Sequence, residues 1–271
     1  MQGVTQYLNR TDARIYSPGI WGNFPWATHK VDACLFEDDF VEHPVTTAIT
    51  TEAVAWGPYK AYCSTSGAIT FATTTGGAVV LSETTDNEGA ALKVNALPFN
   101  ITRGYGDLWF ESRLKIKGAA TLVTTDMGLF VGLGDAMTLG ATVPLTATST
   151  LADENLVGFL CDEADWAAGV GTLDAVYKAN GVTAVTVQAG TANFTEDTYT
   201  NVGFHYNDTT HYLHYFIDNA EVGSVLVIAT AGTDFPNDVQ MSPVIAIVSG
   251  ASAPDVDVTM DWWACAQLIS G

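Results

Sequence analysis

Basic residues are scarce in this chain. Lys and Arg together number 10 against 30 Asp and Glu, which leaves a formal net charge of −20 over 271 residues. No stripe of Lys and Arg is there to displace the counterions of a phosphate backbone, so nucleic acid is excluded as an expected partner. An anionic membrane surface is excluded on the same ground. Long apolar runs are missing too. Stretches such as Val225–Ala229 are far too short to cross a bilayer, and Met1-Gln-Gly-Val-Thr-Gln6 lacks the basic and apolar regions of a signal peptide, so none is expected. Cysteine is sparse: Cys34, Cys63, Cys161 and Cys265 lie far apart with no Cys-x-x-Cys pair, which speaks against a zinc site. A chain of this length buries enough surface to need no staple, and the expectation is buried thiols from a reducing cytoplasm. Also absent are a Gly-x-Ser-x-Gly elbow, a Gly-x-x-x-x-Gly-Lys phosphate loop and a Gly-x-Gly-x-x-Gly turn.

What the chain does have is strand pattern. Apolar residues make up 48% and charged ones 15%, the balance of a packed globular protein. In Asp107–Lys117, Leu108, Phe110, Leu114 and Ile116 alternate with Trp109, Glu111, Arg113, Lys115 and Lys117. That period of two puts one face of a full strand in a core. Further strands are predicted at Ala33–Phe40, Ala68–Thr74, Ala78–Thr85, Ala90–Leu97, Met127–Leu133 and Leu156–Asp162. The series continues through Ala175–Ala179, Ala184–Gln188, Tyr199–Tyr206, His211–Ile217, Val222–Thr230, Pro243–Val248 and Val256–Leu268. Thr84–Gly89 and Asp218–Glu221 read as tight turns, and Asn180-Gly181 as a type I′ hairpin. The Thr-, Ala- and Leu-rich loop from about residue 135 to 153 is a candidate functional loop or subunit contact. One helix is expected, around Asp162–Ala168. Closely spaced strands with almost no helical period predict an all-β chain, an antiparallel two-sheet β-sandwich of jelly-roll type.

Residues 1–32 differ from the rest. They hold Arg10, Arg14, His29 and Lys30 against Asp12 and Asp32, and a Gly/Pro-punctuated patch with Trp21, Phe24 and Trp26. With no period of two or 3.6, this segment reads as an extended arm. Its aromatics either cover the sandwich or dock on a partner subunit. Residues 33–271 read as a single domain.

Several segments carry a resemblance: Phe36-Glu-Asp-Asp-Phe40, Gly104-Tyr-Gly-Asp-Leu-Trp-Phe-Glu-Ser-Arg-Leu-Lys-Ile116 and Phe130-Val-Gly-Leu-Gly-Asp135 come first. Gly158-Phe159, Val202-Gly-Phe-His-Tyr206, Tyr215-Phe-Ile-Asp-Asn219 and Met260-Asp-Trp-Trp263 follow. In this order they are similar to the concanavalin A-like lectin/glucanase superfamily, in the divergent form carried by structural proteins of tailed bacteriophages, over about residues 33–269. The resemblance implies two large antiparallel sheets, one of them concave, with the first and last strands adjacent. Cys34 and Cys265 would then lie on neighbouring strands, still read as thiols.

Glycosidases of that superfamily carry Glu-x-Asp-x-x-Glu or Glu-x-Asp-x-Glu along one strand, since retaining chemistry needs carboxyls about 5–5.5 Å apart. This chain has neither pattern. Asp153-Glu154 and Cys161-Asp-Glu-Ala-Asp165 come nearest, with Glu163 and Asp165 on one face if the strand runs that far; a solvated loop is the plainer reading. Glu111 stands beside Arg113 and Lys115, which favours its charged form, the wrong direction for a general acid. His211 and His214 are three apart in a predicted strand and so face opposite ways. Calcium stays open, because Asp255 and Asp257 share a face and Asp86, Asn87 and Glu88 crowd one turn. Otherwise no cofactor is expected. Trp109, Trp166, Trp262 and Trp263 are candidate sugar platforms, although consecutive Trp262 and Trp263 must point to opposite faces.

The leading expectation is a non-enzymatic bacteriophage virion structural protein: a capsid decoration protein or head fibre, assembled in the host cytoplasm. Its arm would anchor it to other virion proteins (major capsid, tail or fibre proteins) through Arg10, Arg14, Trp21, Phe24 and Trp26. Trp109, Arg113, Lys115 and Lys117 would form a subunit-contact face of a homo-oligomer such as a trimer. The alternatives are a glycan-binding adhesin of a tail fibre or spike, and a glycosidase or lyase.

Overall fold

The computed structural model describes residues 18–22, 24, 33–40, 48–50, 54–72, 77–96, 98–117, 127–135, 144–147, 150–166, 170–191, 193–227, 234–250 and 256–269. Strands are numbered in chain order. One antiparallel sheet of eight strands runs β19 (Ala220–Leu226), β18 (Tyr212–Ile217), β17 (Thr200–Asn207), β8 (Leu108–Lys117), β21 (Val256–Leu268), β5 (Ala78–Glu83) and β4 (Ala68–Ala72). Its eighth strand, β1 (Ala33–Asp38), pairs with Trp263–Leu268 of β21, on the edge that β5 leaves free. The second sheet runs β15 (Val185–Gln188), β14 (Asp174–Lys178), β12 (Leu156–Cys161), β9 (Met127–Gly134), β20 (Gln240–Ser249), β6 (Gly89–Val94), β3 (Tyr59–Cys63) and β2 (Val54–Trp56), with β7 (Phe99–Asn100) on the first residues of β20. Two short ribbons, β10 (Leu145–Ala147) with β11 (Thr150–Leu151) and β13 (Val170–Thr172) with β16 (Asn193–Thr195), complete the strands. This is the expected sandwich.

Alternation decides which face is inside. Leu108, Phe110, Leu114 and Ile116 of β8 join Val202, Phe204, Tyr206, Val131, Phe159 and Ile245 in the central core. The first and last strands are adjacent: Cys34 opposes Gln267 and Cys265 opposes Phe36, so the two cysteines are diagonal neighbours. All four cysteines are free thiols, Cys34 half-buried and the others buried. Burial raises the pKa of Cys34, Cys63, Cys161 and Cys265 alike.

The turns show where local chemistry decides. Ile217 pairs with Ala220, and Asp218 and Asn219 between them adopt φ of 45° and 69°, the two left-handed residues that a type I′ hairpin requires. Asn180-Gly181 does not make the predicted one. Gly181 alone of the two is left-handed, at φ 80°, within a longer loop of residues 179–184 whose amides donate to two neighbours: Asn180 N to Asn155 Oδ1 at 3.0 Å and Gly181 N to Asp153 Oδ1 at 2.6 Å. The expected helix near Asp162 is a single 3₁₀ turn, Glu163–Asp165.

Both outer faces carry a second apolar layer. On the nine-stranded sheet, Leu145 of β10 and Leu151 of β11 pack with Phe130, Leu156, Val176, Val244 and Ala246, so part of the loop singled out by sequence is a hairpin lying on that sheet. On the eight-stranded sheet the covering element is α1 (Pro18–Trp21), inside the segment read as an extended arm. Ile20 and Trp21 are buried there against Trp109, Phe216, Trp262, Ala264 and Ala266.

Candidate functional site

The outer row of β8 is covered from within the chain. Trp109 is 0% exposed and Glu111 is 0% exposed. Trp21 stacks on Trp109 with ring centroids 6.4 Å apart, Phe24 meets it edge-on at 5.1 Å, and Trp21 Nε1 donates to Glu111 Oε2 at 2.7 Å. Trp109 is therefore not an open contact surface, which corrects its sequence-based reading, and Trp21 and Phe24 are engaged inward. Two residues on, Arg113 donates to Asp261 at 2.7 Å and lies 4.2 Å from the centre of the Tyr199 ring, with Lys115 5.1 Å from the same ring. Arg113 is thus neutralised locally, while Lys115 keeps its charge beside the Tyr199 ring. Arg10, Arg14, Trp26 and the side chain of Lys117 lie outside the described residues.

The other sequence candidates resolve into local structure. Asp162 and Asp165 form a capping box around the 3₁₀ turn, and Asp165 also accepts from Thr172 at 3.0 Å. The Asp86–Glu88 turn is tied down by protein groups: Glu88 accepts from Ser66 N at 3.0 Å and Ser66 Oγ at 2.8 Å, while Asn87 donates to Asp86 at 2.8 Å. Asp255 lies outside the described residues, and among those described no group of three or more metal-ligating side chains is gathered. Trp166 is buried and donates to the Met127 carbonyl at 2.7 Å. Trp263 is in the central core and Trp262 is under α1.

Two adjoining hollows at one end of the sandwich form a shallow cleft open to solvent, with volumes of about 520 and 340 Å³. Asn100, Tyr105 and Gln240 line both; Asp135 and Asp238 line the larger one, and Gln267 and Ile269 the smaller. Pairing of Asn100 with Gln240 joins β7 to β20 at this end. Gln267 locks β7 to β21, accepting from the Asn100 amide at 2.9 Å and donating to its carbonyl at 2.5 Å.

Tyr105 stands between two left-handed glycines, Gly104 at φ 85° and Gly106 at φ 93°. One carboxylate pins both: Asp208 accepts from Gly104 N at 2.8 Å and from Gly106 N at 3.2 Å, and its own amide donates to Asp107 at 2.7 Å. A Cβ on Gly106 would sit 2.2 Å from the Leu268 carbonyl oxygen, so only glycine allows this approach. The pinned loop presents a Tyr105 side chain that is 51% exposed.

Asp135 accepts from the backbone and side-chain nitrogens of Asn155 at 3.0 and 2.6 Å. It also acts on two buried ionisable groups. Burial, then repulsion from Asp135, pushes the Glu154 carboxyl up to about 7, against the pull of Lys93 and Lys178. Burial brings Lys93 down to about 8, opposed by Glu154 and Asp135. Glu154 does not line the cleft, so its neutral-range carboxyl is not placed to reach a ligand there. Asp153, its neighbour in the nearest carboxylate pair, bonds Lys178 at 3.1 Å.

Asp208, Asp238 and Gln240 carry no local signal in the sequence, because a turn carboxylate more than a hundred positions from Gly104 leaves no period to detect. The Gly-Tyr-Gly spacing was the one signal available.

No protein-family model and no curated protein matches this chain. Solved structures do. The Emp47p carbohydrate recognition domain superposes with a TM-score of 0.56 at 11% identity, covering 85% of this chain and 94% of that one. Endo-1,3-beta-glucanase from Streptomyces sioyaensis gives 0.54 at 9% identity, covering 89% and 99%. Winged bean acidic lectin complexed with methyl-alpha-D-galactose gives 0.53 at 11% identity, covering 88% and 100%. The chain has the concanavalin A-like lectin/glucanase fold.

Proposed function

We propose that this chain is a non-enzymatic carbohydrate-binding module that takes a neutral glycan in the cleft beside Tyr105. The display of Tyr105 carries the reading. An aromatic ring with half its surface open to solvent is held at the rim of a cleft by a rigid loop, where a flexible loop would let it collapse. Its face suits the apolar face of a sugar ring, while the carboxylates of Asp135 and Asp238 and the amide of Gln240 suit hydroxyl groups. Among the described residues no Lys or Arg lines the cleft, and its two carboxylates repel an anionic sugar. Two fold neighbours, a carbohydrate recognition domain and a lectin with bound sugar, support the same direction.

The setting proposed for the module is a phage particle, as a tail-fibre or spike adhesin or as the outward body of a capsid decoration protein or head fibre. The resemblance of its strand segments supports that setting. An anchoring role for the arm now rests on Arg10, Arg14 and Trp26, since Trp21 and Phe24 pack inward. Deleting residues 1–32 and measuring incorporation into particles tests the anchor; unchanged incorporation would sink it. An array of neutral and sialylated glycans tests the binding: neutral glycans retained by the parent chain and lost by Tyr105→Ala support it, and no retention at high protein concentration overturns it.

A further inference from the structure

A row of side chains crosses the outer face of the eight-stranded sheet. Register places Ala266 of β21, Trp109 of β8, His205 of β17, His214 of β18 and Ser224 of β19 side by side. The inner face of the same two central strands is taken by Phe204, Tyr206, Leu213 and Tyr215, so the two histidines share the outer face as direct cross-strand partners. Directly opposed residues hold their Cβ atoms about 4.5–5.5 Å apart. From that spacing two imidazoles can reach one ion at the usual zinc–nitrogen distance of about 2.0–2.1 Å.

Each ring has a carboxylate near one nitrogen, and only that of His214 is within bonding distance. His214 Nδ1 lies 2.8 Å from Glu221 Oε1, and His205 Nε2 lies 3.5 Å from Asp107 Oδ2. The Glu221 contact fixes the His214 tautomer and leaves its Nε2 as the electron-pair donor, whereas His205 Nε2 makes no hydrogen bond. Aromatic packing restricts the rings further: Trp109 stacks on His205 at 5.0 Å and Tyr212 sits 5.9 Å from His214. His205 is buried and His214 is partly exposed, so the pair opens to solvent on the β18 side. In the sequence His214 stands three positions from His211, which a strand period would face the opposite way, and the partnership with His205 is created by strand register alone.

We propose that His205 and His214 form a transition-metal site, with Glu221 orienting the His214 ring, Trp109 restraining the His205 ring and water completing the coordination shell. Imidazole nitrogens select zinc(II), nickel(II) or copper(II) over magnesium and calcium, which prefer oxygen. A bound ion would cross-link β17 to β18 next to Trp109, the residue on which α1 packs.

The test is titration of the full chain with zinc(II) and nickel(II) by calorimetry, and with copper(II) by tryptophan fluorescence. Excess magnesium occupies the acidic surface throughout. The expected result is one ion per chain, with copper(II) quenching fluorescence through the Trp109–His205 stack. His214→Ala, at a partly exposed position, should keep the circular dichroism spectrum and the melting temperature and lose the site. Glu221→Gln should weaken binding about tenfold. Equal uptake by the parent and His214→Ala would overturn the site, and unchanged affinity in Glu221→Gln would overturn the orienting role of that carboxylate.

Discussion

Replacing Trp21 tests whether α1 is part of the folded body. Trp21 is 2% exposed and contributes both a ring against Trp109 and a hydrogen bond to the fully buried Glu111. Truncating a buried aromatic to alanine costs about 3–5 kcal/mol, and a hydrogen bond to a charged group is worth about 1.5–3 kcal/mol more. The sum is an upper bound, because α1 is only Pro18–Trp21 and can lift off the sheet. Once it lifts, water solvates Glu111, and the measured loss equals the docking free energy of the segment. Trp21→Ala should therefore lower stability by about 2–4 kcal/mol, with Trp109 becoming accessible. Trp21→Phe keeps most of the ring and removes only the indole donor, at about 2 kcal/mol. At about 2–4 °C per kcal/mol for a domain near this size, the alanine variant should melt roughly 5–15 °C lower. Urea titration with acrylamide quenching measures both effects. A change within about 0.5 kcal/mol, the range of an ordinary surface site, with unaltered quenching would refute the packing of α1 on β8.

Three further outcomes follow from the same geometry. Glu154 has its carboxyl raised to about 7, so folding favours the protonated form; that contribution is full below the ordinary glutamate range and is lost as pH rises through about 7. Glu154→Gln mimics the protonated carboxyl, and its melting temperature should gain on the parent's between about pH 4.5 and pH 7 and run parallel to it above that; profiles parallel throughout would contradict the shift. Gly106→Ala forces a Cβ to 2.2 Å from the Leu268 carbonyl oxygen at φ 93°, and should cost about 1–3 kcal/mol in denaturant titration. Asp208→Ala removes the acceptor of two loop amides. It should speed hydrogen exchange at Gly104 and Gly106 and weaken ligand binding at Tyr105 more than it lowers the melting point.

Strand β8 spans Leu108–Lys117 and β21 spans Val256–Leu268, the bounds their alternation indicates, because a half-buried strand writes its own period. The reversal at Asp218-Asn219 was legible for a similar reason, since both residues tolerate a left-handed backbone. The four residues Pro18–Trp21 carry no period, so nothing local distinguished a packed turn from a free arm. The outer row of β8 misled for a different reason. Alternation says that Trp109 and Glu111 leave the core, but not that a segment ninety positions earlier returns to cover them. The cleft and the histidine pair depend on register between distant strands, as with Asn100 opposite Gln240 and His205 opposite His214. In each case the residue types were visible and their meeting was not.

A glycan site beside Tyr105 is tested by titrating a neutral oligosaccharide, retained on the array, into the isotopically labelled chain. The Gly104, Tyr105, Gly106 and Gln240 amides are followed by nuclear magnetic resonance, with Tyr105→Ala alongside. Saturable shifts confined to these positions, and their abolition in the variant, are expected. Shifts elsewhere, or equal binding by Tyr105→Ala, would contradict a glycan site in this cleft.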